Sequence, residues 1–273
     1  MNHHWTEKHW PISQPRRILR SLAGSVGSLG LGAAGVAMFL GVWAFASGAL
    51  NPVLLPYPTA VLEAYGDLIS DGSLAKDIRA SLARVFGGFA IAAMIAPPLA
   101  LLLGYFWTLR CIVLPLVALV RPIPPIAWIP LAILWFGLGD PPSYFITALA
   151  AFFPIFLSSF AGAQALQDEH MNAARSLGAN TGSLLMRIML PSALPQIVTG
   201  LRIGLGQAWM AVVTAELIAA QSGLGFMIQA SRLNLETSRV LVGMTLIGIL
   251  GASMTAFLSL LERRLIIPWN HTK

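Results

Sequence analysis

The chain has 273 residues, of which 56% are hydrophobic and only 10% are charged. A soluble domain carries roughly a quarter charged residues, so this composition, with a mean hydropathy of +0.74, indicates a membrane protein. The net charge of +6 does not indicate a nucleic-acid-binding protein, because the basic residues are scattered along the chain and do not cluster on one face.

Cysteine and histidine usage excludes two kinds of site. Cys111 is the single cysteine, so the chain cannot form an internal disulfide. The histidines all lie outside the long apolar stretches: His3, His4, His9, His170 and His271. The sequence therefore offers no ligand set for a membrane-buried metal site and no histidine for membrane-buried catalysis.

Apolar stretches of about twenty residues predict the spanning helices, because that length crosses about 30 Å of hydrocarbon. The two clearest stretches are Leu29–Leu50 and Val85–Trp107. The further candidates are Cys111–Trp135, which Arg121 interrupts, Tyr144–Leu166, Ile197–Ala220 and Val240–Leu261. The sequence thus predicts an all-α polytopic membrane protein with about six transmembrane helices. They form one domain over residues 29–266, between tails at residues 1–28 and 267–273.

Basic residues near the ends of the spans predict the orientation. Lysine and arginine in short flanking segments favour the cytoplasm; Arg16, Arg17 and Arg20 precede the first span, and Arg263 and Arg264 follow the last. Two cytoplasmic ends require an even number of crossings. The connections near Arg110 and Arg175 are then cytoplasmic, and the acidic segment of residues 51–79 lies outside.

The most polar stretch within the hydrophobic region is the loop of residues 167–191. Its segment Met171–Leu177 favours a helix, and Gly178 is a natural C-terminal cap. We therefore expect a short helix on the cytoplasmic surface of the membrane.

This loop resembles the EAA loop of bacterial ABC importer permeases, which reads E-A-A, three residues, G, nine residues, I-x-L-P. The matching positions are Ala173, Ala174, Gly178, Ile188, Leu190 and Pro191. Asn172 stands where that motif has glutamate, so no role of that carboxylate carries over. The glycine and the small residues are retained.

Flanking segments extend the resemblance from about Leu55 to the end of the chain. Residues 121–130, 134–139, 199–206 and 215–218 are similar to the taurine, aliphatic-sulfonate, nitrate and bicarbonate importer permeases, and residues 223–229 are similar to the taurine branch. The resemblance implies a type I ABC importer-like permease fold in a bacterial inner membrane. The implied partners are ABC ATPase subunits, a second permease copy and a periplasmic or lipid-anchored substrate-binding protein.

In that family the loop forms a coupling helix that docks in a cleft of the ATPase. The resemblance assigns this role to Asn172, Ala173, Ala174, Arg175, Ser176, Leu177 and Gly178; the alternative from the residues alone is a solvated interfacial helix. None of the lysines follows a glycine in a phosphate-loop pattern. We therefore expect no enzymatic activity and no cofactor in this chain, and we expect the partner ATPase to bind ATP and magnesium.

Ionised side chains within apolar spans are functional candidates, because burying a charge in lipid is costly. The candidates for a translocation path are Arg121, Trp128, Arg202, Trp209 and Glu216. An arginine near a helix end also commonly extends to the interface or pairs with a carboxylate, which is the favoured interpretation of Arg84. Glu216 can pair with an arginine or lie at the outer mouth, and aromatic side chains are more often packing residues.

Three other classes of protein remain as alternatives: a secondary transporter, an intramembrane hydrolase and a purely structural membrane scaffold, which composition alone does not exclude. A gradient-driven secondary transporter often has internal repeats and intramembrane carboxylates, whereas only Glu216 lies clearly inside a span here and no repeat is apparent. An intramembrane hydrolase would need a base beside Ser158, Ser159 or Ser253, and the sequence provides no G-x-S-x-G elbow. The favoured function is import of a small anion, sulfonate or taurine-like, or nitrate or bicarbonate, by alternating access.

Overall fold

A computed structural model describes the backbone of residues 16–166 and 168–266, and the side chains of residues 32, 34–166 and 171–260. Within these ranges every regular element is helical. Contacts group the chain into two compact units, which divide between Thr59 and Ala60. Of the predicted tails, residues 1–15 and 267–273 lie outside the described residues, and residues 16–28 already belong to the first helix.

The first unit contains α1 (Arg16–Ala49), which includes most of the predicted span Leu29–Leu50. Its described apolar part, Ala34–Ala49, is shorter than the length needed to cross a membrane. The chain after α1 folds back, because Trp43 Nε1 and Ser47 Oγ donate to the Pro56 carbonyl oxygen at 3.1 and 3.3 Å.

The second unit is a helical bundle. In chain order its helices begin with α2 (Pro58–Ser70), of which residues 60–70 belong to this unit. Next come α3 (Ser73–Tyr105), α4 (Trp107–Val120), a 3₁₀ turn (Pro125–Trp128), α5 (Ile129–Phe136) and α6 (Asp140–Gln164). They continue with α7 (Asp168–Ser176), α8 (Thr181–Ser183), a π-helical turn (Leu184–Met189), α9 (Leu190–Ala219), α10 (Leu224–Leu233) and α11 (Thr237–Ile266). The predictions did not include α2 or α10, which are too short to cross a membrane.

Helix α6 packs along both α3 and α9, and small residues permit this close approach. A Cβ at Gly204 of α9 would lie 2.6 Å from Ile155 Cγ1, and one at Gly162 of α6 would lie 2.7 Å from Gln196 Cβ. Small interface residues are the usual means by which membrane helices pack tightly, since lipid provides little hydrophobic driving force between them. The α3–α6–α9 core is therefore closely packed.

The contacts at the two ends of this core give the helix directions. Arg84 of α3 contacts Asp140 at the start of α6 and Glu216 near the end of α9. Gly104, near the end of α3, approaches Ala163 of α6. Helices α3 and α6 are thus parallel, and α9 is antiparallel to them. We call the end with Gly104 the loop end, because α7 follows α6 there, and we call the other the opposite end.

Because α3 and α6 are parallel, the chain between them must return across the whole bundle. Arg84 and Tyr105 are 21 residues apart in α3, which corresponds to about 32 Å. The returning segment is α4 followed by residues 125–136, and the two parts are bent by 91°. The predicted span Cys111–Trp135 therefore crosses as a broken helix, and the break lies at the interruption expected near Arg121.

Prolines explain the break after α4. Pro122, Pro124 and Pro125 provide no backbone N–H for a helical hydrogen bond, and a residue that precedes a proline is disfavoured in the α conformation. Pro191 and Pro195 also lack a backbone N–H, near the start of α9. The turn that precedes this helix, Leu184–Met189, is π-helical.

Among the described residues, four helical segments are long and apolar enough to cross a membrane, and the bent pair makes five. The four are Ser73–Tyr105, Asp140–Gln164, Thr181–Ala219 and Thr237–Leu260. Helix α11 runs antiparallel to α9, because Gly251 lies against Trp209 and Leu258 lies near Arg202. The described C-terminal end of α11 therefore lies at the loop end.

Candidate functional site

The loop end carries α7, the helix predicted from the polar loop. Gly178 follows it with φ +81°, a conformation that favours glycine. The Ala179 N–H donates to the Ala174 carbonyl oxygen at 3.0 Å, and the Gly178 N–H donates to the Arg175 carbonyl oxygen at 2.9 Å. This pair of bonds is a Schellman cap, so the prediction of a short helix ended by Gly178 is confirmed.

One face of α7 is held on the bundle. Met171 packs against a buried cluster that contains Leu101 of α3 and Ala163 of α6. The Arg175 guanidinium carbon lies 5.7 Å from the centre of the Tyr105 ring, within cation–π range. Tyr105 also lies at the end of α3, and its hydroxyl is 3.5 Å from Thr181 Oγ1. A movement of α7 would thus be transmitted directly to α3.

The other face of α7 projects away from the bundle. Asn172, Ala173 and Ser176 are exposed, and Leu177 is 88% exposed at the end of the helix. A leucine so far from any packing partner suggests a contact with another chain, although single exposed apolar residues also occur on ordinary surfaces.

The opposite end carries a buried ionic network around Arg84, whose side chain is 2% exposed. Its Nε and Nη2 donate to Asp140 Oδ1 at 3.0 and 2.6 Å. Its Nη1 donates to Glu216 Oε1 and to the Ser222 carbonyl oxygen, both at 2.6 Å, and its Nη2 also donates to Ser222 Oγ at 2.7 Å. A guanidinium has five N–H donors, so all of them are used.

Glu216 is equally well enclosed by donors. Ser81 Oγ lies 2.9 and 2.8 Å from its two carboxylate oxygens, and the Gly225 N–H donates to Oε2 at 3.0 Å. The neighbouring backbone is fixed in the same way, because the Gly223 N–H donates to Asp77 Oδ1 and the Leu224 N–H donates to Ser81 Oγ. Side chains of α3 and α9 thereby satisfy the first N–H groups at the start of α10.

This network connects α3, α6, α9 and α10 and explains how two charges tolerate burial. Buried charges require a partner and full hydrogen bonding, and Arg84 and Glu216 have both. The sequence left open whether Glu216 pairs with an arginine or lies at the outer mouth. The structure shows that it pairs with Arg84. Asp140, Ser81 and Ser222 were not among the candidates, since a carboxylate after Gly139 and two serines carry no pattern that identifies their partner.

The other path candidates are dispersed. Trp209 is 6% exposed, and its Nε1 donates to the Ile247 carbonyl oxygen at 3.0 Å, which makes it a packing residue between α9 and α11. Arg121 is exposed at the end of α4, and Trp128 packs beside Ile129 and Ala132. Arg202 is half-buried on α9. Arg202 and Trp209 line the same hollow between α9 and α11, but the structure does not bring all five candidates together into one site.

Two hollows flank the exposed face of α9. The first, of about 220 Å³, is lined by the 3₁₀ turn, α6 and α9, including Pro125, Ile146 and Thr214. The second, of about 280 Å³, lies between α9 and α11 and includes Arg202 and Thr255. Gln207 and Met210 line both hollows. The described residues contain no group of histidine, cysteine and acidic side chains suited to a metal ion.

This bundle, with a capped surface helix at one end, occurs in a known family. Residues 88–267 match the family described as binding-protein-dependent transport system inner membrane component. The chain belongs to this family. It is therefore an inner-membrane permease subunit of a binding-protein-dependent transport system, and the resemblance of the polar loop to the importer permeases is confirmed.

Several curated relatives of this permease cover most of its length. It is 37% identical to the taurine transport system permease protein of Escherichia coli over 268 residues, which are 96% of this chain and 92% of the relative. It is 31% identical to the putative aliphatic sulfonates transport permease protein of Bacillus subtilis, with 86% of each chain covered. It is 33% identical to the nitrate import permease protein of Synechocystis sp., with 78% of this chain and 81% of the relative covered.

A solved structure shares the fold of this permease. The chain matches one from the MetNI methionine ABC transporter in inward-facing conformations with a TM-score of 0.62 and 20% identity, covering 70% of this chain and 95% of the other. The expected all-α type I importer permease fold is thereby confirmed.

Proposed function

We propose that this permease carries a small anion, of the sulfonate or taurine-like class or else nitrate or bicarbonate, through a bacterial inner membrane by alternating access. The observation that carries the proposal is α7: a capped helix held on α3 by one face, with its other face exposed. Alternating access requires two conformations whose populations a partner can shift. Helix α7 is suited to transmit that shift because Arg175 lies against Tyr105 of α3 and Met171 packs against the cluster that contains Leu101 and Ala163.

The partner that docks on α7 is a separate ABC ATPase. Asn172, Ala173, Ser176 and Leu177 form the face available for docking, and Leu177 is its apolar projection. Arg175 is turned toward Tyr105 and serves to hold the helix on the bundle. ATP and magnesium are bound and ATP is hydrolysed in the partner, and this chain supplies no catalytic residue and no cofactor.

The loop end faces the cytoplasm in this proposal. Helix α7 and the end of α11 lie there, and Arg175 and Arg187 are in the same region, in agreement with the cytoplasmic preference of basic residues. The ionic network then lies near the periplasmic end, where a periplasmic or lipid-anchored binding protein would deliver the substrate. With α1 as an additional span, both termini are cytoplasmic.

A second permease copy completes the pathway, and we infer a homodimer. Ile203, Gln207 and Met210 are exposed at intervals of four and three residues along α9, which places them on one face of the helix. Gln207 lies in a segment predicted to cross the membrane. An amide is disfavoured in contact with lipid, so this face is better suited to a partner subunit and a hydrated route than to the bilayer.

An anion suits this route better than a cation. The residues lining the two hollows include Arg202 and no aspartate or glutamate. Glu216, the intramembrane carboxylate on which a proton-driven transporter would rely, is engaged by Arg84 and Ser81. The relatives named for taurine, aliphatic sulfonates and nitrate support the same substrate class.

Purification of the permease with co-expressed ATPase and binding protein tests the proposal. Leu177→Arg should abolish ATPase retention, whereas Leu233→Arg, a matched change at a 71% exposed leucine of α10, should not. Gly178→Ala should weaken retention, because an L-residue in the left-handed conformation costs roughly 1–2 kcal/mol.

Transport should be measured in proteoliposomes that contain the complete complex. We expect ATP-dependent uptake of labelled taurine, an alkanesulfonate or nitrate. If no ATPase is retained by the wild-type chain, and uptake instead follows an imposed ion gradient, the proposal is wrong and the secondary-transporter alternative is correct.

A further inference from the structure

The exposed face of α9 contains one strongly polar side chain in the middle of a spanning helix. Gln207 precedes the end of α9 at Ala219 by 12 residues, or about 18 Å, which places it well inside the roughly 30 Å hydrocarbon layer. Its neighbours on the same face, Ile203 and Met210, are apolar and are 45% and 66% exposed. Polar side chains at this depth usually face protein or a water-filled cavity and serve a function.

Gln207 also occupies a particular position between the two hollows. Together with Met210 it lines both of them, so its side chain borders both volumes. Their volumes of about 220 and 280 Å³ correspond to roughly seven and nine water molecules at liquid density. Each hollow is therefore large enough to hold a small organic or inorganic anion.

The chemistry of the lining determines which solute fits. Arg202 gives the second hollow a positive side chain, and Thr255 and Thr214 add a hydroxyl to each hollow. Both hydroxyls already donate within their own helices, to the carbonyl oxygens of Gly251 and Met210. The Gln207 amide makes no hydrogen bond among the described residues, so its two N–H donors are available to an occupant of the hollows.

We propose that Gln207 is the residue that contacts the transported anion within the membrane, and that its amide N–H groups donate to the oxygens of the anion as it passes. This inference rests on the proposed importer function and identifies the substrate contact within it. A neutral amide suits transient binding, because hydrogen bonds between neutral donors and an anion hold it less strongly than a second full charge would. Arg202 supplies the attraction and Gln207 the hydrogen bonds.

The first experiment needs no knowledge of the natural substrate. In a Cys111→Ser background, Gln207→Cys is exposed in the full complex to a negatively charged sulfonatoethyl thiosulfonate reagent and to a trimethylammonium analogue. Met244→Cys is the matched control, since Met244 is 57% exposed on α11 and lines neither hollow. We expect the Gln207→Cys variant to react at least about tenfold faster than the control variant, and faster with the anionic reagent. Equal rates for the two variants, or no reaction of Gln207→Cys, would overturn the proposal.

The second experiment measures uptake of labelled taurine and nitrate by the same complex in proteoliposomes. Gln207→Leu should reduce uptake about tenfold, the scale of one lost hydrogen bond to an ion, with unchanged ATPase retention and subunit stoichiometry. Gln207→Asn should retain much of the wild-type uptake, because this substitution keeps the amide. Loss of the permease dimer in Gln207→Leu would instead assign the side chain to the subunit interface and refute the proposed contact.

Failure of the proposed function is distinguishable from failure of this inference. If the wild-type complex retains no ATPase, the importer proposal fails. If the wild type retains its ATPase and imports an anion while Gln207→Leu imports it at the same rate, only the assignment of Gln207 fails. If neither probe is imported, the thiol reactivity of the Gln207→Cys variant decides the assignment.

Discussion

Replacing Glu216 by glutamine should be among the most destabilising single changes in the bundle. The amide nearly keeps the size of the side chain but removes the charge that neutralises Arg84, and the two side chains are 0% and 2% exposed. Removal of one partner from a buried ion pair typically costs about 3–5 kcal/mol. Asp140 still contacts Arg84 from a position that is 60% exposed, so we expect the lower end, about 3 kcal/mol. This cost corresponds to a change of roughly 150-fold in the unfolding equilibrium.

The assay is reversible unfolding in mixed micelles with increasing SDS, followed by tryptophan fluorescence. Glu236→Gln is the matched control, because Glu236 pairs with Arg239 at 3.2 Å and both side chains are substantially exposed, at 41% and 37%. Exposed pairs three or four residues apart contribute about 0.3–0.5 kcal/mol. We therefore expect a difference of more than about 2 kcal/mol between the two Glu→Gln variants.

A double-mutant cycle separates the ion pair from other effects of the substitution. Arg84→Gln and Glu216→Gln should each destabilise strongly, but the double variant should cost much less than their sum, because no buried unpaired charge remains and Asp140 is 60% exposed. The interpretation of Arg84 and Glu216 as a mutually dependent buried ion pair would be refuted by either of two results. One is that the losses of unfolding free energy in the two single variants add up in the double variant, and the other is a loss below about 1 kcal/mol for Glu216→Gln.

Two further predictions concern packing and topology. Gly204→Ala should destabilise the bundle by about 1–3 kcal/mol, since its Cβ would press on Ile155, whereas Gly206→Ala, with open space around it, should be neutral or stabilising in the same unfolding assay. In a Cys111→Ser background, a membrane-impermeant maleimide should label Leu235→Cys in intact cells and Leu177→Cys only in inverted vesicles. Labelling of both variants from the same side would contradict the opposite placement of the loop end and the Arg84 network.

Much of the architecture follows from local sequence. The spans are predictable because each helix must satisfy its own backbone in lipid and must be about twenty residues long. The surface helix and its end were also predictable, since Gly178 can adopt a positive φ at low cost. The bend after α4 could be located, but its angle of 91° could not, because prolines permit a break and only the neighbouring helices determine its direction.

Functional residues that belong to a local motif were likewise predictable from sequence, and those with distant partners were not. The exposed face of α7 follows from a short motif, so sequence identified it. The partners of Arg84 lie 56 and 132 residues away in the chain, and no periodicity relates such positions. Trp209, a path candidate by its chemistry, packs on α11 and also lines the hollow between α9 and α11, whereas Gln207, two residues before it, lines both hollows.

By itself, the sequence determined that this chain is a helical membrane protein, where its spans lie and which loop carries the capped surface helix. These properties depend on composition, length and contacts between near neighbours. Only the tertiary structure decided that α3 and α6 are parallel, that Glu216 pairs with Arg84, and that Gln207 stands between two hollows. Each of these depends on which helix faces are brought together, and that is a property of the packed bundle as a whole.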